Sequence, residues 1–316
     1  MALDLGGTKL AGALVESDGT LCGHREVPLA GRKGEEAGAL LQAEVRRLAG
    51  LAAEAGSTPD GLGVSIPGIY YPEEGRVWAP NIPGWNRYPL REELRAMPEA
   101  SAISCLRIED DRACGIRGEA WLGAAQGCRS ALFLTVGTGI GAGILLDGKT
   151  LRGAGGAAGA VGWMALRRPY RREYAEAGCF EYYASGTGIS RQVRLALSRE
   201  GDRNFGGHPL PAGPVPFQQV FDAYLQEDPT AVRILDQAID CWGMAVANLV
   251  SLFNPEIVLF GGGLFGPAVR FLERIAAEAR LWAQPESMRA VRLAASRLDR
   301  LSALYGAAWL ALHPGD

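Results

Sequence analysis

One arrangement occurs twice in this sequence and constrains the fold more than any other feature. A short apolar strand, Ala2-Leu3-Asp4-Leu5, runs into Gly6-Gly7-Thr8-Lys9, and an apolar stretch from Leu10 to Val15 follows it to a hairpin signal at Asp18-Gly19. Ala131–Val136 runs likewise into Gly137-Thr138-Gly139-Ile140-Gly141, then a strand to a second hairpin signal at Asp147-Gly148. Glycines directly after a strand let backbone N–H groups approach phosphate oxygens with no Cβ in the way. A lone turn of this kind is as often a plain tight turn. Two at corresponding places, with a third at Gly261-Gly262-Gly263 after the apolar stretch Glu256–Phe260, point to a duplicated architecture that binds phosphate.

Between these turns the pattern alternates. Residues 35–55 are helical in period, with Leu41, Val45, Leu48 and Ala52 on one face and Glu44, Arg46, Arg47 and Glu54 mostly elsewhere. A buried strand is expected over Gly61–Pro67, followed by a loop-rich stretch holding Tyr70, Tyr71, Trp78, Asn81 and Trp85. A short helix near Leu90–Ala96 and a strand near Ile103–Ile108 come next. Further on, helices are expected over 186–200, 217–253 and 267–283, with Pro229-Thr230 at the start of the longest. A strand at Val291–Ala294 precedes a last helix at Leu301–Leu312. Strands alternating with helices imply an α/β protein with mixed sheets.

Charge and cysteine usage narrow the function classes. The 316 residues suffice for two domains, and a net charge of -3 offers no footprint for nucleic acid or an anionic membrane. No apolar run reaches the roughly 20 residues of a membrane span, and no secretory pattern opens the chain, so a cytoplasmic location is expected. The six cysteines have no C-x-x-C spacing, and at least five are expected to be buried thiols. Only three histidines, His24, His208 and His313, are available for a metal site or a triad.

The segments Asp4–Lys9, Leu134–Gly141 and Pro255–Gly263 resemble the first phosphate, second phosphate and adenosine motifs of the ROK family (repressors, open reading frames and kinases). Ile108-Glu109-Asp110-Asp111, Gly118-Glu119-Ala120, Gly178-Cys179-Phe180-Glu181 and Tyr305-Gly306-Ala307-Ala308 follow the family in the same order. The resemblance implies two actin-like (ribonuclease H-like) domains, mixed sheets flanked by helices, with an interdomain cleft. The first would span 1–115, the second 116–300, and the final helix, 301–316, would pack back on the first. It also implies transfer of a phosphoryl group from ATP, with Mg2+, to a sugar hydroxyl, and a homodimer. Asp111 would be the general base. Asp4 would hold magnesium through water, and Gly6, Gly7, Thr8, Lys9, Gly137, Thr138, Gly139, Gly261, Gly262 and Gly263 would hold the nucleotide. Asn81, Asp110 and Glu181 would contact the sugar. Taken alone, Asp111 also reads as the N-cap of the helix over 113–121.

Three departures concern the sugar. Asp110 stands where the family has Asn, and adjacent carboxylates facing one pocket would raise a pKa. In Gly159-Ala160-Val161-Gly162-Trp163, Ala160 and Trp163 replace a sugar-binding Glu and a sugar- and zinc-binding His. Between Arg167 and Cys179 only Cys179 remains of three zinc-binding cysteines. One thiolate cannot build a four-coordinate site, so no zinc is expected. The run Arg167-Arg168-Pro169-Tyr170-Arg171-Arg172 reads as a solvated surface, with an anionic substrate as the alternative. Sugar hydroxyls left without partners would cost roughly 1–3 kcal/mol each, so weak glucose phosphorylation is expected. A repressor would carry a winged helix-turn-helix ahead of Asp4 and is not expected; a non-catalytic sugar or nucleotide sensor is the remaining alternative.

Overall fold

The computed structural model describes residues 1–101, 103–200 and 204–315; residue 316 of the expected last helix lies outside them. The chain forms two compact units. One takes in Met1–Arg129, Gly143–Ala158 and the segment from Ser296 on, the other Ser130–Ala142 and Gly159–Ala295.

The first elements are β1 (Ala2–Leu5), β2 (Lys9–Val15), β3 (Leu21–Pro28), α1 (Gly34–Glu54) and β4 (Gly61–Ile66). After them come β5 (Ile69–Tyr71), β6 (Arg76–Trp78), β7 (Asn86–Tyr88), α2 (Leu90–Arg95), α3 (Pro98–Ser101), β8 (Cys105–Asp110) and α4 (Asp111–Leu122). The strands over 69–88 form a small antiparallel sheet where the sequence suggested only loop. Their three-residue lengths are too short for a period-2 pattern to register.

The main sheet of this unit has the order β3-β2-β1-β4-β8, antiparallel at β3-β2-β1 and parallel at β1-β4-β8. Alternation along the strands sorts the two faces. Leu3, Leu5, Leu62, Val64 and Ile66 join Leu41, Val45 and Leu48 of α1 in one core. Glu44 is buried on that side as well, at 1% exposure, which corrects its expected place off the apolar face. Its carboxylate accepts bonds from Arg25 of β3 (2.6 and 2.9 Å) and from Arg47. Burial acts to raise the Glu44 carboxyl, and the two guanidinium groups outweigh it and hold it below the usual range.

The opposite face, with Ala2 and Ala13, packs on α4 and on the last helix, α12, whose range is Ser302–Leu312. Here β4 presents Gly61, Gly63 and Ser65. A Cβ at Gly63 would sit 1.8 Å from the Ala307 carbonyl oxygen, so only glycine lets the helix lie this close to the strand.

The remaining elements are β9 (Ala131–Val136), β10 (Ile140–Leu146), β11 (Lys149–Thr150), α5 (Tyr174–Ala177), α6 (Cys179–Ala184) and α7 (Gly186–Glu200). The short hairpin β12 (Asn204–Phe205) and β13 (His208–Pro209), unforeseen in the sequence, leads to α8 (Phe217–Leu225) and α9 (Pro229–Phe253). Asp228 caps α9 through the N–H groups of Thr230 and Ala231, and Pro229 takes the first position, where its missing N–H costs nothing. After α9 come β14 (Ile257–Gly261), α10 (Leu272–Trp282), α11 (Pro285–Ala290) and β15 (Arg292–Ala295).

The second sheet has the order β11-β10-β9-β14-β15, with β9, β14 and β15 parallel. In the second unit Phe260, Phe265 and Trp242 pack in series at 4.6 and 5.1 Å between ring centres, the first pair tilted and the second edge-on, joining β14 to α9. Four cysteines, 105, 114, 179 and 241, are buried; Cys128 is half-buried and Cys22 exposed, fewer buried thiols than the sequence suggested. Cys22 lies on β3, an edge strand of the sheet whose residues are mostly exposed.

Candidate active site

In the first unit the carboxyl ends of three parallel strands bring polar groups to one level. Asp4 of β1 pairs in register with Ser65 of β4, which pairs with Glu109 of β8. This end of a parallel sheet is where α/β proteins place ligands. Ser65 donates its hydroxyl to Asp4 Oδ1 at 2.7 Å. Burial pushes the Asp4 carboxyl up to about 6, against the bond from Ser65 and the charge of Lys9. Glu109, also buried, pairs with Arg152.

Strand β8 passes without a loop into α4, and the junction holds the two adjacent aspartates. The N-cap is Asp110, not Asp111. Asp110 Oδ1 accepts from the N–H groups of Arg112 (3.2 Å) and Ala113 (3.1 Å) and from Arg112 Nε (3.0 Å). Its extended backbone suits the cap, and Asp111 becomes the first helical residue. Burial raises the Asp111 carboxyl to about 7, helped by the neighbouring charges of Asp110 and Asp4 and opposed by Arg112. The two carboxyls therefore do different work at one helix start, one bonded and one poised to gain or lose a proton near neutrality.

The turn after β1 is exposed at Gly7 and Thr8 and is closed by a bond from the Gly6 N–H to the Lys9 carbonyl at 2.8 Å. A Cβ at Gly7 would lie 3.2 Å from that of Asn81, so the asparagine sits against the turn. Lys9 points to Glu26 of β3 in an exposed ion pair.

In the second unit the turns after β9 and β14 abut. Gly261 pairs with Thr135, and the Leu264 N–H bonds to the Val136 carbonyl at 3.1 Å. Gly262 has a φ of +87°, and a Cβ there would fall 2.6 Å from the Val136 carbonyl oxygen. The N-terminus of α7 joins them: the Gly186 N–H bonds to the Gly137 carbonyl at 2.8 Å, and Thr187 N–H to that of Thr138 at 3.4 Å. Glycine amides beside a helix N-terminus form an anion site. The sequence placed the start of this helix at 186 but gave it no part in the site, although the run Ser185-Gly186-Thr187-Gly188 carried a visible signal. Ser65 was missed, with only its polarity inside an apolar strand to mark it.

Glu181 of α6 accepts the Ile140 N–H at 2.7 Å, and a Cβ on either Gly139 or Gly162 would fall 2.8 Å from that same carboxylate oxygen. Burial raises this carboxyl, the Ile140 bond opposing it. Trp163 is 57% exposed. It borders a cavity of about 680 Å³ whose walls include Arg167, Arg168, Tyr170, Tyr174 and Cys179. An aromatic cluster orders this stretch. Tyr174 and Tyr183 share a hydroxyl bond of 2.7 Å, Tyr170 and Tyr182 pack edge-on against Tyr174, and Arg167 lies over the Tyr183 ring.

Among the described residues no group of three His, Cys, Asp or Glu side chains is placed to hold a metal directly. A hard cation that keeps most of its water fits the donors of the first unit better. The charge of Asp4 helps raise the Asp111 carboxyl, and a divalent charge relieves that repulsion.

The ROK family model matches residues 1–313. A glucokinase from Thermotoga maritima is 31% identical over 281 residues, covering 84% of each chain. The crystal structure of a ROK hexokinase from Thermus thermophilus is similar with a TM-score of 0.79 at 31% identity, covering 99% of this chain and 97% of that one. A ROK glucokinase from Streptomyces griseus, crystallised with glucose and AMPPNP, has a TM-score of 0.77 at 25% identity over 99% and 98% of the two chains. The two sheets have the actin-like ATPase fold of these neighbours. With strand ends, glycine turns and a full-length family match in agreement, this chain belongs to the ROK family.

Proposed function

We propose that the chain is an ATP-dependent sugar kinase, transferring the γ-phosphoryl group to a sugar hydroxyl with Asp111 as the general base. The observation that carries the reading is the carboxyl of Asp111, raised to about 7 at the start of α4 beside a hydrogen-bonded Asp4. A base works best when its pKa lies near the working pH, because it is then both ionised and able to hold the proton it takes.

In this reading the acceptor hydroxyl gives its proton to the Asp111 carboxylate as its oxygen attacks the γ-phosphorus, and ADP leaves. The N–H groups of the turns at 137–139 and 261–263, with the start of α7, bind the nucleotide phosphates. Gly6, Gly7 and Thr8 offer the same contacts on the first unit. Lys9 adds a positive charge, its exposed pair with Glu26 being weak enough to exchange. Asp4 would hold Mg2+ through water, oriented by Ser65, and the ion when bound neutralises charge on the phosphate oxygens.

Asn81, Asp110 and Glu181 are the proposed sugar contacts. One oxygen of Asp110 is committed to the helix cap and one of Glu181 to Ile140, so each has its second oxygen for a hydroxyl. Ala160 and Trp163 supply no carboxylate or imidazole, and the broad face of Trp163 suits the C–H face of a ring or a substituent. We therefore place the preferred acceptor away from unmodified glucose.

The test is ATP consumption across a panel of hexoses and N-acetylated and deoxy sugars, with Asp111→Asn as control. Turnover abolished in that variant is the expected result, and turnover that persists refutes the base. Glucose turnover at the level of ordinary hexokinases would refute the placement of the acceptor. ADP binding without turnover on any sugar would make the chain a sensor.

A further inference from the structure

A second cavity in the second unit, of about 240 Å³, is lined by four arginines, Arg167, Arg171, Arg199 and Arg233, and by no acidic residue. The four come from three separate segments. Arg199 follows Gln192 by seven residues on one stripe of α7, and Arg233 and Gln237 lie one turn apart on α9. Arg167 and Arg171 come from the loop between Trp163 and α5. Among the described residues no ion pair joins any of the four to a carboxylate; the charge of Arg167 is felt by Asp240 only at longer range.

Like charges gathered in a concave site repel each other and cost stability, in a chain whose net charge is -3. Arg167 is also held in place, its guanidinium 4.8 Å from the centre of the Tyr183 ring, which itself lines the cavity. Loop residue Arg171 is anchored through its carbonyl, which accepts the Tyr174 N–H at 3.0 Å. Planar guanidinium groups match the oxygens of a phosphoryl group two at a time, and Gln192 and Gln237 add neutral amides.

We propose that this cavity is a binding site for a phosphorylated small molecule, built separately from the glycine turns and independent of the kinase reading. The walls are guanidinium and amide groups with Leu195, Ala196 and Ile234 behind them, so a compact group bearing two or more negative charges fits.

The probe is inorganic pyrophosphate, titrated calorimetrically into the full chain without magnesium, at low ionic strength, with AMPPNP saturating any nucleotide site. Pyrophosphate should still bind. In Arg199→Ala/Arg233→Ala its affinity should fall at least tenfold while AMPPNP affinity stays unchanged, since both side chains are exposed and outside the turns. Arg199→Lys/Arg233→Lys, which keeps the charge but loses the fork, should fall between the two. Displacement by glucose 6-phosphate supports the site with a sugar phosphate as its natural source; binding of pyrophosphate alone supports it with a polyphosphate source. Pyrophosphate binding that vanishes under AMPPNP, or that the double alanine variant leaves intact, overturns the proposal. So does a parent chain that ignores pyrophosphate but loses self-association in the double variant, which would make this face an interface between copies.

Discussion

Replacing Asp111 with asparagine should stabilise the fold while removing activity, and the pH dependence of the gain is the sharper half of the prediction. The Asp111 carboxyl stands at about 7 in the folded chain against an ordinary value of 3.8, with burial the main cause. At ~1.4 kcal/mol per pKa unit, the ionised form is disfavoured by about 4 kcal/mol at pH 8. Asp111 is only partly buried, so water screens part of that, and a gain of about 1–3 kcal/mol is expected for Asp111→Asn. The sign follows from proton uptake. Between pH 3.8 and about 7 the folded state binds more protons at this residue than the unfolded state, so its contribution to stability falls as pH rises through that window. Thermal unfolding of parent and variant should therefore differ by several degrees at pH 8, at roughly 2–4 °C per kcal/mol, and the difference should shrink to less than half by pH 5, vanishing only as pH falls below 3.8. The kcat of the variant should drop by about 10²–10⁴. A Tm difference that does not change between pH 5 and 8, or a variant less stable at pH 8, refutes the reasoning that burial charges this residue with strain.

Four other substitutions probe the surroundings. Ser65→Ala removes the donor to Asp4, so the Asp4 carboxyl should rise above about 6; the acid limb of the pH–rate profile should move to higher pH and the magnesium requirement should increase. Asn81→Ala should lower kcat/KM for the sugar by about 10–100-fold, matching a lost hydrogen bond of roughly 1–3 kcal/mol, with AMPPNP affinity unchanged by calorimetry. Gly262→Ala forces a side chain into a left-handed backbone and against the Val136 carbonyl, and should cost about 2–4 kcal/mol in denaturant unfolding and weaken nucleotide binding. Glu44→Gln leaves Arg25 and Arg47 without their shared carboxylate and should cost about 3 kcal/mol at pH 7. Because the Glu44 carboxyl lies below its usual range when folded, that stability is present above about 4.5 and is lost as pH falls through the folded value, so the variant and parent should converge in acid.

What the sequence determined by itself is whatever depends on neighbours along the chain. Glycines directly after apolar strands, the hairpins at Asp18-Gly19 and Asp147-Gly148, and the aspartate pair at a strand-to-helix junction are local chemistry. They were enough for an α/β fold with glycine turns at its strand ends. The helical period of 35–55 placed α1 within a residue at each end. It could not place Glu44, because the reason for burying that carboxylate is Arg25, which reaches it from β3. The cap at Asp110 was assigned one residue late, since either aspartate satisfies the pattern and only the backbone angles decide between them. Ser65 lies 61 residues from the Asp4 it orients, and the two meet only because β1 and β4 are paired in parallel register. Four arginines spread from 167 to 233 read as ordinary surface charge until a loop and two helices bring them to one cavity. Tertiary structure decided these matters for one reason. A carboxyl or guanidinium takes its energy from what surrounds it, and those surroundings come from distant parts of the chain.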